Sequence, residues 1–160
     1  MSQSVCNNAA LRRAARRLGQ LYDDVLAESG LRATQFSLLN QIARSDGLSM
    51  GALAATMVMD RSALGHTLAP LTGAGLVELV ADPRDRRSKK VVLTEAGRAR
   101  LEAARLLWRE AQARFETAFG VEDAAGFRAV LDRVSSEAFA AAFAAVTPPG
   151  APRSGTSSAA

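Results

Sequence analysis

SMGALAATMVMDRSALGHTLAPLTGAG, residues 49–75, is the stretch that decides the fold of this 160-residue chain. Asp60 offers a side-chain oxygen to the free N–H groups of a helix that begins at Arg61. Leu64, Leu68 and Leu71 then recur at the spacing of one helical face, which defines the buried side. The other side carries Ser62, Gly65, His66 and Ala69, short enough for the helix backbone to settle against another large surface. Ahead of it, Ser49 caps a shorter helix that faces inward through Leu53, and Met57 to Met59 make a tight apolar connection. Two short helices joined in this way spell a helix-turn-helix, and the major groove of a DNA duplex is just wide enough to admit the second of them.

Gly75 ends that helix. The apolar runs Leu76, Val77, Leu79, Val80 and Val91, Val92, Leu93 flank a polar loop and predict a β-hairpin. Its tip, residues 82–90, sets Arg84, Arg86, Arg87, Lys89 and Lys90 against Asp82 and Asp85. A tip this positive is poorly placed for packing and well placed for phosphates or a narrow, electronegative minor groove.

Asp85 and Arg87 followed by Leu93 and Thr94, within DPRDRRSKKVVLTEAG, resemble the wing signature of the MarR family of bacterial transcription regulators. The order of elements in GLSMGALAATMVMDRSALGHTLAPLTGAGLVELVADPRDRR is similar to that family's winged helix-turn-helix. The resemblance implies that Arg87 enters the minor groove with Asp85 holding it in place. It also puts Arg61, Ser62, Gly65 and His66 at recognition-helix positions that contact DNA; Gly65 and His66 stand where the family frequently has a hydroxyl-bearing and a basic residue. Arg84, Arg86 and Lys89 complete the candidate DNA-binding set on the wing. Family behaviour further implies a small aromatic or phenolic effector in a cleft between the winged helix and the dimer helices. Tyr22, Phe36, Met57 and Trp108 lie on the adjoining segments and are the candidates to line it. Some members sense hydroperoxides through a cysteine near the start of the first helix, the region of Cys6.

Composition agrees with a DNA-binding domain. The chain is 48% hydrophobic, enough for one real core, and 20 Lys and Arg against 16 Asp and Glu give a formal +4, which suits a polyanionic partner. Cys6 is the only cysteine, so no intrachain disulfide forms and a reducing, cytoplasmic setting is expected. With His66 the only histidine, neither a zinc site nor another cofactor is expected. No apolar run approaches the ~20 residues of a membrane span. The twin arginines near the start are followed by no apolar core, so no targeting peptide is expected.

In chain order, Leu11, Ala14 or Ala15, Leu18, Leu21 and Val25 mark one amphipathic helix from about Ala9 to Glu28, with Arg12, Arg13, Arg16 and Arg17 on its remainder. Ser29 and Gly30 end it. Thr34 is expected to cap a second helix that turns Phe36, Leu39 and Ile42 inward and closes at Ser45, Asp46 and Gly47. Pro70 removes a donor inside the recognition helix and predicts a bend or local irregularity there. After the wing, Thr94 caps a long helix whose Leu101, Ala104, Trp108, Ala111, Phe115 and Ala118 have coiled-coil spacing. Gly120 interrupts it, Glu122 and Asp123 open the next, and Phe127, Val130, Leu131, Val134 and Ala138 continue an apolar stripe to about Val146.

The expected fold class is therefore mainly α with a small β-hairpin wing: a winged helix-turn-helix with helical dimerisation arms. A winged helix alone cannot cover these further amphipathic helices, and groove-reading helices usually come in pairs. Residues 1–30 are assigned to an N-terminal dimerisation helix, 31–94 to the DNA-binding domain, 95–146 to C-terminal dimerisation helices and 147–160 to a disordered tail. The functional expectation is a homodimeric repressor on an inverted-repeat operator in double-stranded DNA, released by a small aromatic effector. Two alternatives are a redox-sensing repressor acting through Cys6 and a protein-interaction module without sequence readout. Asp60, Ser62 and His66 are the residue types of a hydrolase triad. A helix-borne pair without a nucleophile turn or an oxyanion hole gives no reason to expect an enzyme.

Overall fold

Helix α1 (Asn7–Leu26) passes into a 3-10 turn, Ala27–Ser29, and the turn is closed by one hydroxyl. Ser29 Oγ donates to the Leu26 carbonyl at 2.6 Å and accepts from the Leu31 N–H at 3.2 Å, while Gly30 takes the left-handed φ of 70° that frees the chain to reverse. Helix α2 follows at Ala33–Ala43. Thr34 lies inside it and does not cap it. Two side chains do that work: Gln35 accepts from the Arg32 N–H at 3.0 Å, and Asp23, reaching from α1, accepts from the Ala33 N–H at 2.7 Å. A carboxylate at that end also meets the positive pole of the helix.

This computed structural model describes residues 6–45, 47–82 and 85–146, with the backbone alone for 85–88. Asp46, Arg84 and the expected tail at 147–160 lie outside the described residues. The chain divides into two units, residues 1–118 and 119–160. In the first, α2 leads through β1 (Leu48–Ser49) into α3 (Met50–Thr56) and α4 (Arg61–Gly73), then β2 (Val77–Asp82), β3 (Asp85–Leu93) and α5 (Glu95–Phe119), which crosses the boundary by one residue.

The turn between α3 and α4 is a helix C-cap built around the wrong residue type. Val58 N–H bonds the Ala55 carbonyl and Met59 N–H the Ala54 carbonyl, at 3.0 and 2.9 Å, a Schellman closure that needs a left-handed residue at its centre. That residue is Val58, φ 52°, whose branched side chain is 71% exposed. The α4 C-terminus repeats the motif with glycine: Gly75 at φ 68°, Gly75 N–H to the Thr72 carbonyl and Leu76 N–H to the Leu71 carbonyl, both 2.9 Å. Pro70, expected to disturb α4, lies on its exposed face, and the helix runs through it to Gly73.

The sheet departs from expectation in two ways. It has three antiparallel strands in the order β1-β3-β2, the unforeseen β1 pairing Leu48 with Val91 and Ser49 with Lys90. The stretch expected to be a polar loop is also strand: β2 runs to Asp82 and β3 resumes at Asp85, with a register shift between Ala81 and Asp82. Backbone pairing needs no apolar side chains, so the ladder continues through charged residues that the hydrophobic pattern had assigned to the loop.

At the base of the wing three elements meet on one threonine. Thr94 Oγ1 donates to the Gly75 carbonyl at 2.6 Å and accepts from the Gly97 N–H at 3.0 Å, capping α5, while Thr94 N–H bonds the Leu76 carbonyl at 3.2 Å. Gly97 is fully enclosed, and a Cβ on it would lie 1.9 Å from the Leu76 carbonyl oxygen. Around this point packs one core, from Leu26, Leu38, Leu39 and Ile42 through Leu53, Leu64 and Leu71 to Val91 and Leu101.

In the second unit α6 (Val121–Val134) and α7 (Glu137–Ala145) replace the single stripe expected up to Val146. Ser136 makes the break, its Oγ donating to the Arg133 carbonyl at 2.8 Å and accepting from the Phe139 N–H at 3.1 Å. Val130, Val134, Phe139 and Phe143 are all exposed, Phe143 at 75%.

Three substitutions test this account by thermal melting. Gly97→Ala forces a methyl into the Leu76 carbonyl and is expected to cost about 1–3 kcal/mol or more. Gly126→Ala, in α6 with nothing within 4 Å of a new Cβ, is expected to gain ~0.5–1 kcal/mol. Val58→Gly relieves a left-handed valine and is expected to stabilise by ~1 kcal/mol. Equal melting temperatures for the two Gly→Ala variants would contradict the packing described at Gly97.

Candidate nucleic-acid interface

Helix α4 is fixed at its N-terminus and along one face. Asp60 Oδ1 accepts from the Ala63 N–H at 2.7 Å, so the cap foreseen at this residue is present, and Leu64, Leu68 and Leu71 are buried in the core. The face turned away from them carries Ser62, His66 and Ala69, all exposed, and Gly65, partly buried. Nothing lies within 4 Å of a Cβ built on Gly65. The fold therefore gives no packing reason for glycine at a helix-interior site where alanine is favoured by up to ~1 kcal/mol. Arg61, at the first position of α4, is exposed and takes no part in an ion pair among the described residues.

The wing lies next to it in sequence. Asp85, Arg86, Arg87 and Lys89 belong to strand β3, Asp85 pairing with Asp82 and Lys89 with Ala81. Lys89 is exposed. The side chains of Asp85, Arg86 and Arg87, and Arg84 altogether, fall outside the described residues, so the inferred hold of Asp85 on Arg87 is not described. Lys90 differs from Lys89: its ammonium stands 3.5 Å from Asp82 and both side chains are largely covered, so this cation is neutralised within the wing.

Of the four candidate effector residues, three come together. Phe36 of α2, Met57 of the helix-turn-helix connection and Trp108 of α5 line one cavity of about 360 Å³ with Asn40, Arg105 and Arg109. The Phe36 and Trp108 rings stack, centroids 5.8 Å apart and planes inclined by 18°. Arg105 reaches Asn40 Oδ1 at 3.3 Å and Glu102 Oε1 at 2.6 Å. Tyr22 is not part of this cavity. It lines a separate apolar groove of about 270 Å³ with Leu18, Leu21, Val25 and Phe115, and its hydroxyl donates to Gln112 Oε1 at 3.0 Å. The two arginines were not foreseen; Arg105 stands three residues before Trp108 and one turn before Arg109, a spacing hidden by attention to the apolar seam. Cys6 is exposed at the start of α1.

Comparison with known proteins gives consistent likenesses. Residues 29–88 match the family model described as MarR family. BadR of Rhodopseudomonas palustris, a transcriptional activatory protein, is 35% identical over 72 residues, 43% of this chain; the match spans only 41% of that protein's own length. The fold is similar to that of the M. tuberculosis transcriptional regulator MosR solved in complex with DNA, 38% identical with a TM-score of 0.76 over 88% of this chain and 99% of that one. It is also similar to CouR of Rhodococcus jostii bound to p-coumaroyl-CoA, 26% identical with a TM-score of 0.71 over 85% of this chain and 97% of that one.

Proposed function

Because this chain belongs to the MarR family of winged-helix transcription regulators, DNA-binding proteins without enzymatic activity, we propose that it acts as a cytoplasmic homodimeric repressor on an inverted-repeat operator. One observation carries the DNA-facing part of the reading. Helix α4 keeps on its open side a glycine, a serine and a histidine that no internal contact requires, beside a strand pair rich in cations. Small side chains let the helix approach base edges, and cations on the wing meet phosphates or the minor groove. Ser62, Gly65 and His66 serve base readout in this reading. Arg84, Arg86, Arg87 and Lys89 supply the wing's charge, with Asp85 orienting Arg87. Lys90 is left out because Asp82 already answers its charge.

The dimer reading rests on exposed apolar surface. Leu11 and Leu21 on α1 are 42% and 51% exposed, and α6 and α7 expose Val130, Val134, Phe139 and Phe143, more apolar surface than these helices would leave open in water. Residues 1–30 and 95–146 then act as dimerisation arms around the DNA-binding domain at 31–94. Paired domains place the reading helices about one turn of duplex apart.

The effector in this reading is an aromatic anion held between Phe36, Trp108 and the guanidinium groups of Arg105 and Arg109. An aromatic ring extends the existing stack, and arginine favours a carboxylate or phosphate oxygen. CouR, which binds an aromatic acyl thioester of CoA, supports this class of ligand. Met57 gives the site a route to DNA because it lines the cavity and also begins the turn into α4. A ligand that prefers a different placement of Met57 shifts the spacing of the paired α4 helices away from the one the operator fits.

Footprinting of the DNA flanking the chain's own coding region, with sedimentation of the free protein, tests the whole reading: a protected palindrome and a dimer are expected, and a monomer that protects nothing overturns it. On that operator, Arg87→Ala is expected to weaken binding to matched and mismatched duplexes alike and to flatten the salt dependence. Ser62→Ala or His66→Ala is expected to change discrimination by ~1–3 kcal/mol per lost base contact. Gly65→Ala should raise the melting temperature and still lower affinity, a combination that a purely structural glycine cannot produce. Trp108 is the only tryptophan, so its emission reports the cavity directly. Titration with aromatic carboxylates is expected to change that emission saturably, and Arg109→Ala to raise the midpoint about tenfold or more, the loss of one charge-assisted bond. Emission indifferent to every aromatic anion tried would remove the effector site.

A further inference from the structure

The two arginines of the aromatic cavity are not equally free. Arg109 takes part in no ion pair among the described residues. Arg105 is engaged at both terminal nitrogens: Nη1 donates to Glu102 Oε1 at 2.6 Å and Nη2 to Asn40 Oδ1 at 3.3 Å. The two acceptors stand on different sides of it. Asn40 lines the aromatic cavity, whereas Glu102 lines a neighbouring cavity of about 330 Å³ behind it, and Arg105 is a wall of both. An anion entering beside Trp108 therefore meets a guanidinium whose charge a carboxylate of the same helix already answers.

We propose that Glu102 is a resident competitor for the Arg105 guanidinium: it holds that arginine while the aromatic cavity is empty, yields it to the carboxylate of an aromatic effector, and so sets the effector concentration at which the site fills. The inference rests on the effector reading above. A competitor must be weak enough to lose. Glu102 is 66% exposed and three residues before Arg105 on one helix, the setting in which an ion pair contributes least and is most readily exchanged. Its release leaves no stranded charge. Arg98, one helical turn back, lines the same rear cavity and is in no ion pair among the described residues. Asn40 is neutral, so it can keep Arg105 at the cavity wall without cancelling its charge. Glu102 touches no part of the aromatic cavity and acts through Arg105, as a positioning residue for binding.

A double-mutant cycle read by Trp108 emission tests the competition. The wild type, Glu102→Gln, Glu102→Ala and Arg105→Gln, with the two Glu102 changes also combined with Arg105→Gln, are titrated with p-hydroxybenzoate and with its neutral amide, and melting temperatures check folding. Glu102→Gln is expected to lower the p-hydroxybenzoate midpoint about threefold, the scale of one exposed ion pair, and by less at high salt. Glu102→Ala should do at least as much, because glutamine still offers Arg105 an oxygen. Neither change should matter once Arg105 is replaced, and neither should move the midpoint for the amide. A midpoint that stays or rises in Glu102→Gln overturns the competition. So does an equal gain without Arg105, which is plain repulsion between Glu102 and the ligand; both results leave the effector site in place. A wild type whose emission ignores p-hydroxybenzoate and every other aromatic anion removes the effector site and this inference with it.

Discussion

The close approach of Gly97 to the Leu76 carbonyl is the constraint on which the rest of the first unit depends. Thr94 completes it by bonding at once to Gly75, Leu76 and Gly97, so the end of α4, the base of the wing and the start of α5 are joined within a few ångströms. A side chain at residue 97 would pry α5 from the sheet. With hydrogen there, the direction in which α5 leaves is set by the same contacts that end α4. The cavity between α2 and α5 is consequently built on the same frame as the surface offered to DNA.

That shared frame explains why the helix-turn-helix connection matters beyond joining two helices. Met57 lines the cavity, Val58 holds the left-handed centre of the turn, and Asp60 caps α4. In the effector reading proposed above, displacement of the first reaches the last through three residues of backbone whose hydrogen bonds are already spoken for by α3. In an interior packed as densely as this core, such a displacement moves the helix as a body and is not absorbed along the way.

Much of this was legible in the sequence wherever the deciding forces were local. Ser49, Asp60 and Thr94 cap the helices expected of them, and Leu64, Leu68 and Leu71 face inward, because caps and helical periodicity act over a few neighbouring residues. Thr34 failed as a cap because the helix starts one residue before it, where Asp23 from another helix accepts from the Ala33 N–H and Gln35 from that of Arg32, which no local rule could reveal. The wing strands extend through charged residues because backbone ladders are indifferent to charge, and β1 exists only by pairing with a strand some forty positions on. Tyr22 lines a different cavity from Phe36, Met57 and Trp108, and Arg105 and Arg109 join those three unforeseen, for one shared reason: which face of α5 meets α2 and which meets α1 is a tertiary fact.

Val58 brings a last consequence into view. A branched residue in the left-handed well stores roughly 1–2 kcal/mol that a glycine would not. The loaded residue sits directly after the one that borders the cavity, so this hinge starts closer in free energy to its alternative shapes than a relaxed hinge would. In the effector reading proposed above, a small ligand then has less work to do, and the chain gives up some thermal robustness in return for a lighter trigger.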